Sequence, residues 1–526
     1  MLNIIPYPSR TVQINGGVCV LSEMLHVEEN EFSDWCAAAF VERTHIRRGE
    51  SKLSLRLQRD ASMEDEAYKL EIRPASLYVT ASSEQGVIWA LTTAANLLDG
   101  NTIPCCVIED APRYPHRGIH LDCARHFFPI ETVKRVVEGM SLAKLNVLHW
   151  HLSDDQGWRI ESKQYPMLHQ VSGDYYTQDE IRALVEFARI RGVEVIPEID
   201  MPGHTAGILA AYPELSCSGK TVSLAASGGI YPIILCPGKE ETLLFIEKLL
   251  REIIPLFAGP RFHIGGDEAP KTEWAKCPHC QRRMQAEDIS NLQQLQGWFT
   301  ARVKQILERH GKQAVCWNET LLAANAPQNI QIQYWTLQHR AAMEPFIQKG
   351  GQWIYSDMFE LYFDYPYSMT PLKKVYSIAP HFGKSDCSKG NGLLGMECCL
   401  WTEHVAESSI LEQLLFPRSW AVAELCWCGK RDYAEFVKRL RAALAGAAGN
   451  AVRFAPDEKW DPRGKARRQD ALAYFTKMNS AMSSEVRAQT VENTAPNKEF
   501  AQSFMTKFFR VSDLPFLLVT MMKGGK

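Results

Sequence analysis

The chain has 526 residues, 46% of them hydrophobic and 23% charged, with a formal net charge of −3. That length buries a sizeable core and divides into two or three domains, and the near-neutral balance gives no electrostatic reason to expect nucleic acid or an anionic membrane as a partner. Small or neutral ligands are favoured.

In chain order, the start "MLNIIPYPSR" lacks a basic segment followed by an apolar one, and no stretch approaches ~18 consecutive apolar residues, so neither a signal peptide nor a membrane span is expected. Residues 1–112 read as a small α/β domain. There "KLEIRPASLYVTAS" alternates like strands, and "SEQGVIWALTTAANLLDG" has helical periodicity and ends at Gly100. The prolines and glycine of "IEDAPRYPHRG" mark a boundary.

Residues 113–445 repeat one unit, an apolar strand ending in polar or aromatic residues and usually followed by a helical run. The predicted strands are "RGIHLDCA", "LNVLHWHLS", "GVEVIPEID", "RFHIGGDE", "QAVCWNE", "NIQIQYW", "GQWIYSD" and "GLLGMECCLWTE". Helical runs between them include "ETVKRVVEGMSLAK", "TQDEIRALVEFARIRG", "KEETLLFIEKLLREIIPLF" and "NLQQLQGWFTARVKQILERHG". The pattern fits an α/β fold whose catalytic domain is a (β/α)8 TIM barrel, although strand number alone also fits a doubly wound sheet. Residues 446–526 form a helical-looking extension of unassigned role, running from "FAPDEKWDPRGKARRQD" to "PFLLVTMMKGGK". Packing on the barrel, disorder and association into a homo-oligomer are all open to it.

Fifteen cysteines, several in apolar runs such as "IPCCVIED" and "MECCLW", behave as small hydrophobes and point to a reducing, cytoplasmic setting. Cys277 and Cys280 in "CPHC" supply half of a zinc site. With no second Cys or His pair nearby in sequence at ligand spacing, they are read as structural, and no metal or other cofactor is expected.

In such a barrel chemistry collects at the C-terminal strand ends. Asp122 and Arg125 follow the first strand, His149, His151, Asp154 and Asp155 the second, and Glu198, Asp200 and His204 the third. Then come Asp267 and Glu268, Trp317 and Glu319, Trp335, Asp357 with Tyr362 and Asp364, and Trp401 with Glu403. Carboxylates and arginine for hydroxyls, with aromatic walls for apolar ring faces, suit a sugar, and no glycine-rich phosphate loop competes. Gly265 and Gly266 allow close backbone approach. Two adjacent carboxylates held from water drive one of the pair to keep its proton.

The ordered set "GIHLDCARHFF", "LHWHLSDDQGWR", "PEIDMPGH", "HIGGDE", "CWNE", "YWT", "YFD" and "LWTEH" resembles glycoside hydrolase family 20, the β-N-acetylhexosaminidases, over roughly residues 1 to 440. The resemblance implies an exo-acting, retaining enzyme that needs no metal. Its substrate would be a small molecule or oligosaccharide with a terminal N-acetylhexosamine, and the substrate's own acetamido oxygen would attack C1. It implies Glu268 as general acid/base, Asp267 as the group orienting the acetamido, and Tyr362 as the hydrogen-bond donor to the acetamido oxygen. His204 and Asp154, with Asp155 as rival, would stand behind Glu268. Arg125, Asp364 and Glu403 would bind outer hydroxyls, and Trp317, Trp335 and Trp401 would be pocket walls. "YFDYPYSM" puts tyrosines where many members close the pocket with a further tryptophan.

Two other readings are open. His149 and His151, at i and i+2 on one strand, could begin a metal-dependent amidohydrolase barrel, although the fifth and sixth strands end without histidine; in the family reading both are structural. A catalytically inactive sugar-binding module is the third.

Overall fold

The computed structural model describes residues 2–28, 30–382, 385–386, 391–429, 432–446 and 451–481, so the tail segment "PFLLVTMMKGGK" lies outside the described residues. The N-terminal part is a seven-stranded sheet ordered Thr11–Val20, Thr102–Asp110, Tyr68–Arg73, Ser76–Ala81, Ser54–Arg59, Met24–Val27, Arg47–Arg48. Alternation along Tyr68–Arg73 buries Tyr68, Leu70 and Ile72 against helix Glu84–Asn96, which starts where the Ser83 side chain accepts the Gly86 amide. Gly86 is required there, because a Cβ would sit 2.6 Å from the Ala67 carbonyl oxygen.

Eight parallel strands then close a barrel. In chain order they are β1 (His116–Asp122), β2 (Val147–His151), β3 (Glu194–Glu198), β4 (Arg261–His263), β5 (Gln313–Trp317), β6 (Gln331–Tyr334), β7 (Trp353–Tyr355) and β8 (Leu393–Leu400). β8 pairs with β1 to complete the ring, so the doubly wound alternative is excluded. Seven of the predicted strands contain one of these and the first overlaps β1, which begins one residue earlier at His116, but the observed strands stop sooner. β4 ends at His263 because Gly265 (φ 61°) and Gly266 (φ 102°) leave the extended region, which turns the rest of "RFHIGGDE" into a loop on the barrel's top.

The predicted helical runs correspond to Ile130–Leu142, Gln178–Arg189, Glu240–Ile253 and Leu292–Arg309. Gln178–Arg189 begins in a capping box between Thr177 and Glu180. No helix among the described residues is long and apolar enough to cross a membrane.

The sheet and the barrel are joined by buried polar contacts. Lys144 Nζ lies 3.0 Å from Asp110 Oδ2, Trp427 donates its indole N–H to Asp110, and the Arg117 guanidinium lies 2.5 Å from Glu66. Beyond the barrel, helix Gly464–Ala481 returns to its top, where Asp470 accepts the Ser368 amide (3.2 Å) and Tyr474 meets Tyr365 with ring centroids 5.7 Å apart.

Candidate active site

The barrel's top gathers the predicted residues around one pocket. Glu268 has φ 43°, a left-handed conformation uncommon for a residue other than glycine. The two carboxylates stand at different depths: the Glu268 side chain is 30% exposed and that of Asp267 is 11% exposed. Burial raises the Asp267 carboxyl to about 6, with the Glu268 charge adding to the effect and His204 opposing it. Its Oδ1 is buried with no hydrogen-bond partner among the described residues.

His204 (φ 51°) links the pair to the barrel interior. Its Nε2 is 3.4 Å from Glu268 and 3.9 Å from Asp267, while its Nδ1 is 3.3 Å from both Asp154 and Asp155. Distance does not separate those rivals, but charge does. Burial opposes ionisation of both, yet at Asp154 the Arg125 and His204 charges outweigh it and hold the carboxyl well below the usual range. Asp155 goes the other way, raised by burial and by Asp154, and its Oδ1 accepts the Ala206 amide at 2.9 Å. Arg125, 2.9 Å from Asp154, thus favours charge on Asp154 over Asp155, while both stand equally near His204. Burial also works against a charge on His204, but its acidic neighbours prevail and its pKa stands well above the usual histidine value.

Below this layer His151 bridges Asp154 (2.8 Å) and Glu198 (2.5 Å), and His149 bridges Glu198 (3.1 Å) and Glu397 (2.8 Å). Both histidines are buried in the barrel, His151 hydrogen-bonded to Glu198 and Asp154 and His149 hydrogen-bonded to Glu397, with His149 Nε2 close to Glu198 without a hydrogen bond.

Aromatic side chains form the wall. Tyr362 is stacked between Trp335 (6.2 Å, 17°) and Tyr365 (6.5 Å, 28°), and Trp401 lies 6.2 Å from Tyr362. Trp335 donates its indole N–H to Glu319 (2.8 Å). Trp317 lies deeper than Trp335 and Trp401: it is 1% exposed, its indole N–H is bound to Glu198 at 2.9 Å, and it backs Trp401 from inside the barrel. The short β5 ends at Trp317 with the side chain still facing the interior.

Arg125 is fixed 2.9 Å from Asp154, lies over the Trp401 ring (4.7 Å) and reaches Glu403 at 3.9 Å. Asp364 stands nearby, pushed up to about 8 by burial and the Glu403 charge. Tyr474 hydrogen-bonds Asp364, so the C-terminal extension contributes to the pocket. Nothing in its sequence signalled this. Two acids without an assigned role also face the pair. Burial and the Asp267 charge raise both Glu319 and Asp200 well above the carboxylate range. "CWNE" and "PEID" were the available signals.

The family model for the glycosyl hydrolase family 20 catalytic domain matches residues 114–430, and that for the family's domain 2 matches residues 1–111. The chain belongs to glycosyl hydrolase family 20. It is a glycoside hydrolase of the β-N-acetylhexosaminidase type, and neither the amidohydrolase nor the inactive-module reading finds support. A β-hexosaminidase of Porphyromonas gingivalis is 31% identical over 84% of the chain, which spans 62% of that relative's length. Among solved structures, the β-N-acetylhexosaminidase of Bacteroides fragilis has a TM-score of 0.78 at 27% identity, covering 86% of this chain and 97% of that one. An exo β-N-acetylglucosaminidase of Vibrio harveyi, in complex with N-acetylglucosamine, has a TM-score of 0.77 at 27% identity, covering 86% of this chain and 78% of that one.

Proposed function

We propose that this family 20 enzyme removes terminal, non-reducing β-linked N-acetylglucosamine or N-acetylgalactosamine with retention, using the substrate's acetamido oxygen as nucleophile. The observation that carries the reading is the difference in depth between the adjacent carboxylates. Glu268 is the more exposed of the two, and Asp267 is buried with an acceptor oxygen to spare. One acid reaches a leaving group while its neighbour meets the acetamido N–H.

The reaction then runs in two steps. The Glu268 carboxyl gives its proton to the glycosidic oxygen as the C1–O bond breaks and the acetamido oxygen bonds to C1, releasing the aglycone alcohol. The cyclic oxazolinium left behind carries a positive charge that Asp267 stabilises, and the Tyr362 hydroxyl donates to the acetamido oxygen. Glu268, now a carboxylate, takes a proton from water as that water attacks C1 and reopens the ring. Two inversions give net retention. His204, anchored by Asp154, orients Glu268.

Arg125, Asp364 and Glu403 bind the hydroxyls of a terminal sugar, and Trp335 and Trp401 supply apolar faces. That arrangement of Arg125 and its partners supports exo action. The reading extends to a reducing compartment, supported by buried free thiols such as Cys106, Cys398 and Cys426.

The test is a release assay over chitooligosaccharides, N-glycan termini and GalNAc-bearing glycans, with product anomers followed by NMR. Only monosaccharide should appear, first as the β-anomer. An α-anomer at early times, or internal fragments from long oligomers, would contradict retention or exo action respectively.

A further inference from the structure

Beside the pocket, four cysteines from distant parts of the sequence converge. Cys217 and Cys236 lie in the loop between β3 and helix Glu240–Ile253, Cys277 immediately precedes helix Pro278–Ala286, and Cys280 sits on its first turn. Sequence reading saw only the "CPHC" half. The other half is completed by a pinch that brings Ser216 opposite Leu235, with the Cys236 amide donating to the Leu215 carbonyl at 2.9 Å.

We propose that Cys217, Cys236, Cys277 and Cys280 bind one zinc ion as a tetrahedral tetrathiolate site that fastens this loop to the segment following the catalytic acid. The sulfur of Cys236 is 3.6 Å from that of Cys280 and 3.8 Å from that of Cys277, and Cys217 is 3.8 Å from Cys280. All four sulfurs lie within 4.8 Å of one another. Zn–S bonds of about 2.3 Å place the corners of a tetrahedron about 3.8 Å apart. A disulfide needs ~2.05 Å, so these are not two disulfides, and a polynuclear iron–sulfur cluster would hold its thiolates farther apart. Thiols packed as hydrophobes also touch at such separations. Packing alone, however, does not require four sulfurs from three segments to converge on one point.

The surroundings fit a closed structural site. Cys236 and Cys280 are fully buried, Cys277 nearly so, among Ile234, Trp274, Ile289 and Leu295. Gly238 approaches so closely that a Cβ would lie 2.3 Å from the Cys280 nitrogen, so the loop and the "CPHC" turn meet backbone to backbone.

Both ends of the brace lead to the active site. Ala269, the residue after Glu268, packs on the cysteine cluster. Between Cys217 and Cys236 the loop crosses the pocket, where the Ala225 amide donates to the Asp155 carbonyl (2.9 Å) and Gln156 donates to the Ser227 carbonyl (2.7 Å). A Cβ on Gly228 would lie 2.7 Å from Glu403 Cγ. The ion would stand beside the catalytic residues, not among them, and would hold the loops that shape their site.

The experiment is elemental analysis and zinc X-ray absorption on the full chain, purified reduced and dialysed against EDTA. Expected are about one zinc per chain and a shell of four sulfurs near ~2.3 Å. The double variant Cys236→Ser/Cys280→Ser should lose at least tenfold of the bound zinc, whereas Cys280→His, which keeps a ligand, should retain metal and fold even if the double variant is poorly soluble. A metal-free wild-type chain, a disulfide within the four by mass spectrometry, a nitrogen- or oxygen-dominated shell, or full zinc retention in the double variant would each overturn the proposal. None of these readouts depends on the sugar the enzyme cleaves.

Discussion

At the N-terminal end of the barrel Lys144 lies 3.0 Å from Asp110, Arg117 2.5 Å from Glu66 and Arg261 2.6 Å from Glu194, so each of these cations meets an acid. At the C-terminal end Arg125, His204, Lys271 and His339 stand among Asp154, Asp155, Asp200, Asp267, Glu268, Glu319, Asp364 and Glu403. Acids outnumber bases there, and burial holds several of them towards the neutral form: Asp200 and Glu319 are raised well above the carboxylate range, and Asp364 is raised to about 8. One end spends its charges on cohesion. The other keeps an excess of acid around a pocket, which suits a reaction that develops positive charge on its substrate.

The sharpest contrast should come from Glu268→Gln at the top, expected to slow cleavage of natural glycosides by about 10²–10⁴-fold while leaving the melting temperature close to that of the parent. Aryl glycosides with acidic leaving groups should lose much less in their first step; equal losses across leaving groups would remove the acid role. At the other end, Lys144→Met should leave Asp110 without its cation and cost roughly 3–5 kcal/mol of stability in denaturant titration, with kcat of the folded fraction unchanged.

Next in size, Asp267→Asn should lower kcat by roughly 10²–10³-fold. In the parent, activity that needs ionised Asp267 should rise as pH passes about 6, and that limb should vanish in the variant. Arg125→Lys should raise KM by about ten- to a hundredfold, since one ammonium replaces the planar fork poised among Asp154, Asp122 and Glu403.

The smallest effect concerns stability against pH. Asp364 titrates higher folded than unfolded, so its contribution is complete below its unfolded value near ~4 and is lost as pH rises through its folded value of about 8. Asp364→Asn should flatten the fall in melting temperature over that window. An unchanged slope would mean that Asp364 is not the group responsible.

The barrel was legible because its strands repeat the same apolar run with a polar end, and the pocket acids because they stand at those ends. What sequence could not supply was depth and contact across the chain. Trp317 reads as a wall residue, and only the structure shows its depth, with the indole bound to Glu198 inside the barrel. Asp154 and Asp155 stand equally near His204, and what sets Asp154 apart is Arg125, 2.9 Å from it, a contact that sequence does not show. Tyr474 reaches the pocket through a helix whose sequence carries no pattern of its own, and Cys217 and Cys236 meet "CPHC" only because a loop folds back between β3 and the next helix. The short reach of β4 was foreshadowed by its glycine pair, but the left-handed Glu268 that follows was not.

The central claim is that the second carboxylate steers a nucleophile belonging to the substrate. The most direct measurement is the rate of aryl glycoside cleavage as the N-acetyl group is replaced by mono-, di- and trifluoroacetyl, which makes the carbonyl oxygen progressively less nucleophilic with little change in size. The account predicts a steady fall in kcat/KM along the series, with the non-acylated sugar nearly inert. A flat series, or a glycosyl adduct trapped on Asp267 or any other carboxylate of the chain, would contradict it.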